Sequence, residues 1–246
     1  MADDEPGRCF FVHVMRTGGT TLEQQVRRNF PRAHVYPDPD IDFPDGDVMH
    51  HLEISYLLGL PIERLETIRF FYGHFPYVVT EMVADDLMTF TVLRDPVDRT
   101  LSLLRVMREQ RPGWRDRTLE EIYDDAQMFP RLIHNHQTKM FSMMRQDQPR
   151  SYRDEILVDA ARLEVAKQNL ARVDLIGFTE HFDEFVAKLG DRFGWRLSAA
   201  ARMNAAAESC DDASDLRARV AADNAIDLEL YEYARALDTD PSSGIR

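Results

Sequence analysis

Lysine is nearly missing from this chain. Of 30 basic residues 27 are Arg, and only Lys139, Lys167 and Lys188 are Lys. No Gly-x-x-x-x-Gly-Lys-[Ser/Thr] stretch can be fitted to it, which excludes a Walker-type phosphate loop. Cysteine is scarce too: Cys9 and Cys210 are the only two in 246 residues, and they form no Cys-x-x-Cys pair. That argues against a disulfide framework and against zinc, and leaves buried, reduced thiols as the expectation. No apolar run approaches the roughly 20 residues that cross a bilayer, so no integral membrane segment is expected. Positive charge is in deficit as well, the formal net charge being −13. Long-range repulsion then disfavours nucleic acid, anionic membranes and strongly polyanionic substrates, while a small anion can still bind where local donors converge. No internal repeat breaks up the chain.

With 44% hydrophobic and 30% charged residues, the composition is that of a globular protein. The length suits one sizeable α/β domain over 1–246 and is short for two; the ordered core is expected over about 8–237. The acidic start, Met1-Ala-Asp-Asp-Glu-Pro6, leads into no signal-type apolar segment, which gives cytoplasm as the expected location.

Cys9 to Leu22 organises the rest. The apolar run Phe10–Val14 is short enough for a buried central strand, and a polar loop with Gly18 and Gly19 stops it. A helix is expected next, with Thr20 and Glu23 at capping-box spacing and Pro31 ending it after Phe30. Free amides in the first helical turn, with glycines that allow close approach, make an anion site, and Arg16 adds a fixed charge. Alone, such a loop can also be a plain chain reversal.

A second element of the same kind raises its weight. The run Met88–Leu93 is a strand, and Asp95 with Pro96 predicts a capped helix from there to about Gln110. Arg94 thus stands between strand end and helix start. Ser102 lies about two turns in, roughly 10 Å from the start, where its hydroxyl reaches a ligand lying along the helix.

Elsewhere, Ala33–Tyr36 and Ile68–Tyr72 are expected strands, and Pro37–Asp47 an exposed Pro/Asp-rich loop. Thr118 and Glu121 match a second capping box. A helix is expected on Ile156, Leu157, Leu163, Val165, Leu170 and Val173, then a short strand in Asp174–Glu180 and a helix on Phe182, Phe185, Val186, Leu189 and Phe193. Ser198–Asp215 reads as a flexible connection, and one last helix runs from about Leu216 to Leu237 before a disordered tail. His50, His51 and Glu53 look like a metal cluster only superficially, since adjacent histidines point apart.

Together these residues resemble the nucleotide-dependent sulfotransferases, and more closely the branch with the carbohydrate 2-O-sulfotransferases and many bacterial members. Phe11-Val-His-Val-Met-Arg-Thr-Gly-Gly-Thr-Thr21 is similar to that branch's Phe-Ile-His-x-Pro-Lys-Thr-x-Gly-Thr-Ser signature. Leu93-Arg-Asp-Pro-Val-Asp-Arg-Thr-Leu-Ser102 is similar to its 3′-phosphate motif. Gly73-His-Phe75, Asn135-x-Gln-Thr138, Gly177-Phe-Thr-Glu180 and Asp227-x-x-Leu-Tyr231 resemble further blocks, so the likeness spans about 10–236. It implies a parallel sheet of the P-loop kinase type and 3′-phosphoadenosine 5′-phosphosulfate as donor, with no metal. The 5′-phosphosulfate would be held by the amides of Thr17, Gly18, Gly19, Thr20 and Thr21 with the Thr20 and Thr21 hydroxyls, and the 3′-phosphate by Arg94 and Ser102. Arg16 stands where the family has Lys, and Met15 where it has Pro.

Sulfuryl transfer needs an in-line acceptor oxygen, charge stabilisation on the leaving phosphate and a base for the acceptor's proton. Arg16 can stabilise the leaving group but cannot act as an acid. His74, at a strand end, is the candidate base, with a packing histidine as the bland alternative and Glu53 as the reserve carboxylate. His13 lies within the strand and reads as structural. The acceptor is expected to be a hydroxyl on a small metabolite, sugar or glycolipid. Two other readings stay open: a non-catalytic scaffold that binds the bisphosphate product, and an ATP-dependent small-molecule kinase.

Overall fold

The computed structural model describes residues 7–43, 53–84, 86–198 and 214–239. Five strands, β1 (Cys9–Val12), β2 (Val35–Tyr36), β3 (Phe70–Gly73), β4 (Met88–Leu93) and β5 (Leu175–Phe178), form one sheet in the order β2-β3-β1-β4-β5, with every neighbouring pair parallel. Between β1 and β4 lie the helices α1 (Gly19–Val26), α2 (Pro39–Asp42), α3 (Ile54–Leu58), α4 (Ile62–Thr67) and α5 (Thr80–Val83). Between β4 and β5 lie α6 (Pro96–Gln110), α7 (Leu119–Tyr123), α8 (His136–Ser142) and α9 (Ala160–Leu170), and α10 (Phe182–Phe193), α11 (Ser214–Asp223) and α12 (Ala225–Thr239) follow β5. The fold is therefore α/β, as the alternation of apolar runs predicts.

Successive side chains of a strand point to opposite faces. On one face Cys9 and Phe11 of β1 join Leu22 and Val26 of α1 and Phe185 and Val186 of α10. On the other Phe10 and Val12 join Met140 and Phe141 of α8 and Leu163 and Leu170 of α9. Helices cover both faces, which is why β1 is apolar throughout rather than alternating. Among the described residues no helix is long and apolar enough to cross a membrane.

Several boundaries differ from expectation for identifiable reasons. The Pro37–Asp47 stretch is not an exposed loop as far as Phe43: Asp38 and Asp42 are buried, because Arg32 grips Asp38 through two bonds of 2.7 and 2.9 Å and Arg64 grips Asp42 through two of 2.7 and 3.0 Å. Paired with a fork of donors, a carboxylate can go inside. Ile156 and Leu157 lie outside α9, whose start is set by Asp159, its carboxylate accepting from the Arg162 amide at 2.9 Å. The last helix breaks at Asn224, and Ser214 and Asp215, expected in the flexible connection, open α11 instead. The rest of that connection, Cys210, the His50–His51 pair and the tail from 240 onward lie outside the described residues. Thr118 and Glu121 do form their capping box.

Candidate functional site

The sheet order sends the chain from β1 to one side and from β4 to the other, although the two strands are neighbours, with Val12 opposite Thr91. In open parallel sheets such a switch point leaves a crevice at the carboxyl ends of the strands, where ligands collect. The loops that follow β1 and β4 are the two singled out in the sequence.

After β1 six residues carry the chain into α1. Thr17 is fully buried and its hydroxyl donates to the Val14 carbonyl at 2.9 Å, closing the turn. Arg16 and Gly18 take left-handed backbone conformations, at φ 69° and 82°. Gly18 sits under the Phe182 ring, and a Cβ on Gly19 would fall 2.0 Å from Nε2 of His13. The first helical bond of α1 runs from the Leu22 amide to the Gly18 carbonyl at 3.3 Å. Gly18 is thus the cap, and the capping box expected at Thr20 and Glu23 does not form, because the helix starts earlier and both residues lie inside it. The amides of Gly19, Thr20 and Thr21 open towards the helix's N-terminal end, where partial positive charge gathers. Thr20 is exposed and Thr21 buried. The Thr17 hydroxyl is turned inward, so Thr17 can offer a ligand its amide.

After β4 the Asp95 carboxylate accepts from the Asp98 amide at 3.0 Å and Pro96 opens α6, as predicted. The Gln137 amide brackets Arg94, accepting from its N–H at 3.2 Å and donating to its carbonyl at 2.8 Å. Arg94 then gives Nη1–H to the Arg16 carbonyl at 3.4 Å, and Arg16 gives Nε–H to the Ser102 hydroxyl at 3.1 Å. Burial first, and then the Arg94 charge, push the Arg16 guanidinium below its ordinary range, with Glu109 opposing them. Two guanidinium groups side by side repel each other unless an anion lies between them.

At the end of β3 the Nδ1–H of His74 donates to the His13 carbonyl at 3.0 Å. A carbonyl can only accept, so the proton of the neutral ring sits on Nδ1 and the lone pair on Nε2. The ring lies between His13, with centroids 4.3 Å apart, and Tyr152, at 5.0 Å. His13 is stacked on Phe11 at 4.9 Å and buried, and burial, followed by His74 and Arg16, holds it neutral by pushing its pKa well down. Glu53 is exposed at the head of α3. Among the described residues no group of three His, Cys, Asp or Glu is placed to hold a metal ion.

Most of the supports stand in the sequence as blocks of the resemblance, without a role, and Asn224 is not among them. The buried Asp227 carboxylate accepts from the Gln137 and Thr138 amides at 3.0 and 2.7 Å. Asn135, left-handed at φ 45°, accepts from the Asp227 amide at 3.0 Å and gives its own N–H to Asn224 at 2.8 Å. Tyr231 donates its hydroxyl to Glu180. These blocks brace the C-terminal helices against α8, which through Gln137 braces Arg94. The signal was there: Asn224 and Asp227 fall on the same helical face as the apolar Val220, Leu230, Tyr231 and Ala234. Below them Lys139, almost wholly buried, donates to the carbonyls of Arg131 and Asp154; burial, then Arg99, lower its pKa to about 7.

No protein-family model and no curated protein matches the chain. Fold and site define an α/β protein in which Arg16, Arg94 and Ser102 meet in the loops beyond the carboxyl ends of β1 and β4, with His74 Nδ1 bonded to the His13 carbonyl.

Proposed function

We propose that this protein is a sulfotransferase, moving a sulfuryl group from 3′-phosphoadenosine 5′-phosphosulfate to the hydroxyl of a small metabolite, sugar or glycolipid. The observation that carries the reading is the convergence of Arg16, Arg94 and Ser102, from two loops far apart in sequence, on one crevice. Two cations and a hydroxyl there, with three open helix amides alongside, suit a nucleotide that carries anionic groups at both ends. The sheet order is compatible with the P-loop kinase type of fold that the sequence resemblance implies.

In this reading the amides of Gly19, Thr20 and Thr21 hold the 5′-phosphosulfate and Arg94 with Ser102 the 3′-phosphate. His74 Nε2 takes the proton of the acceptor hydroxyl as its oxygen bonds to sulfur. The bond from sulfur to the bridging oxygen breaks, adenosine 3′,5′-bisphosphate leaves with the electron pair, and Arg16 stabilises that charge. A cytoplasmic setting goes with the buried, free thiol of Cys9. ATP, lacking a 3′-phosphate, would leave Arg94 and Ser102 unused.

A second reading has its own observation. Arg16 already reaches Ser102, on the 3′-phosphate side, which suits a scaffold that binds the bisphosphate and transfers nothing. Thermal denaturation tests the nucleotide: adenosine 3′,5′-bisphosphate at about 100 times its dissociation constant should add roughly 2.7 kcal/mol, more than ATP, AMP or NAD. Equal or greater stabilisation by ATP would favour a kinase. Mass spectrometry of extract incubated with protein and labelled donor, searched for an added sulfuryl mass, then separates enzyme from scaffold.

A further inference from the structure

His74 stands just past the end of β3, and aromatic rings meet it from both faces of the sheet. One is His13, with centroids 4.3 Å apart, which stacks on Phe11 on the side of α1 and α10. The other is Tyr152, at 5.0 Å, which packs with Phe10, Met140 and Leu163 on the side of α8 and α9. The hydrogen bond to the His13 carbonyl fixes Nδ1 alone and leaves the imidazole free to turn about that bond. Contact from both faces stops the turn, and the direction of Nε2 is then set.

Tyr152 is built to act as a fixed wall. Its ring is 2% exposed, and its hydroxyl accepts Nε–H of Arg153 at 3.0 Å. The segment around it is tied down at three points. The Arg150 carbonyl accepts from the Ile54 amide at 2.8 Å. The Asp154 carboxylate accepts from the amides of Arg150 and Ser151 at 2.6 and 3.2 Å, and the Asp154 carbonyl accepts from the buried Lys139 amine at 3.1 Å. Lys139 thereby fixes the turn that presents the Tyr152 ring.

Resting on the reading of His74 as the base, we infer that Tyr152 is a positioning residue for the reaction. From across the sheet its ring holds the His74 imidazole against His13 and keeps Nε2 aimed at the acceptor hydroxyl. The phenol oxygen touches no reacting atom; the ring acts, and Arg153 and Lys139 hold the ring in place. The titratable and charged groups bearing on His74 are His13 from β1, with Arg16 beyond it, and His136 from α8, with Lys139 beyond it. All of them remain when Tyr152 is changed.

Nitrogen-15 NMR of the whole protein reads the His74 ring without any substrate, its signals being those lost in His74→Gln. In wild type the neutral ring should carry its proton on Nδ1. Tyr152→Ala should admit the other tautomer and raise the apparent pKa of His74, because water reaching an uncovered imidazole favours its charged form. Tyr152→Phe, which keeps the ring and loses only the bond to Arg153, should leave tautomer and titration as in wild type. Tyr123→Ala removes a fully buried tyrosine from a different part of the core and should lower stability without moving the His74 signals. With an accepted substrate, Tyr152→Ala should lower turnover by about tenfold to a hundredfold, the scale of a small misplacement, with affinity for adenosine 3′,5′-bisphosphate nearly unchanged. Tyr152→Phe should keep most of the turnover. A proton on Nε2 in wild type, an unmoved titration in Tyr152→Ala, or the same movement in Tyr123→Ala overturns the inference. The wild-type and Tyr152→Phe measurements stand even if Tyr152→Ala fails to fold. Signals that move as expected in a protein that transfers no sulfuryl group in any screen would sink the reaction and keep the brace, whereas transfer with unmoved signals does the reverse.

Discussion

Arg16 donates its Nε–H to the Ser102 hydroxyl at 3.1 Å, joining residues 86 positions apart in the chain. The loop after β1 and the helix after β4 are thereby tied to each other by a direct side-chain contact.

Removing the Arg94 side chain by Arg94→Ala should weaken adenosine 3′,5′-bisphosphate by about 1.5–3 kcal/mol, the range for a hydrogen bond to a charged group. Ser102→Ala should cost less, since Arg16 and Arg94 remain. Titration calorimetry measures both, and adenosine 5′-phosphosulfate, which has no 3′-phosphate, should bind the variants about as well as wild type. A loss shared by both ligands would mean that the fold had been damaged.

Turnover should separate Arg16 from His74. Arg16→Ala should lower it by about 10²–10³, the scale of one preorganised donor. Arg16→Lys should keep substantial activity while losing the bond to Ser102. His74→Ala should lower turnover by about 10²–10⁴ with nucleotide affinity nearly intact, and the pH profile should lose its ascending limb. Wild-type turnover in His74→Ala would move the search for a base to Glu53. A gain of activity in Arg16→Lys over an inactive wild type would establish the scaffold.

Gly19 has no room for a side chain. Its Cβ would fall 2.0 Å from His13 Nε2, and the His13 ring is held by its stacking on Phe11. Gly19→Ala should therefore destabilise by about 1–3 kcal/mol, as overpacking does. His13→Ala combined with it should recover part of that loss in a thermal melt. Additive losses would show that the two positions do not meet.

Lys139 makes stability depend on pH. Its folded pKa is about 7, against about 10.4 for a free lysine, so between those values the unfolded chain holds a proton that the native one has released. Stability should rise as pH climbs from about 7 towards 10, and that contribution should be lacking below about 7. Urea midpoints of wild type and Lys139→Met across this range give the contribution by difference. A constant difference would mean that Lys139 does not titrate there.

The strands, α6 with its Asp95 cap and the pairing of the two loops were legible because each rests on local chemistry: apolar runs, a cap, a proline, a glycine turn. The start of α1 was misjudged because Thr20 has the spacing of a cap, yet Gly18 in a left-handed conformation begins the helix two residues sooner. Burial of Asp38 and Asp42 was illegible, since it depends on Arg32 folding back over the six residues to Asp38 and on Arg64 returning from 22 residues beyond Asp42. The same holds for His13, whose carbonyl sets the tautomer of His74 from 61 residues away.

Asn135 and the residues after it are braced by Asn224 and Asp227, and Gln137 in turn holds Arg94. The order of synthesis then matters. A nascent chain that has emerged only as far as α10 has both loops and the whole sheet but lacks this brace, and α8, which carries Gln137, stays unbraced until residues 224–227 leave the ribosome. In the proposed reading, competence to grip a nucleotide then arrives late in translation, well after the loops that would touch it have been made.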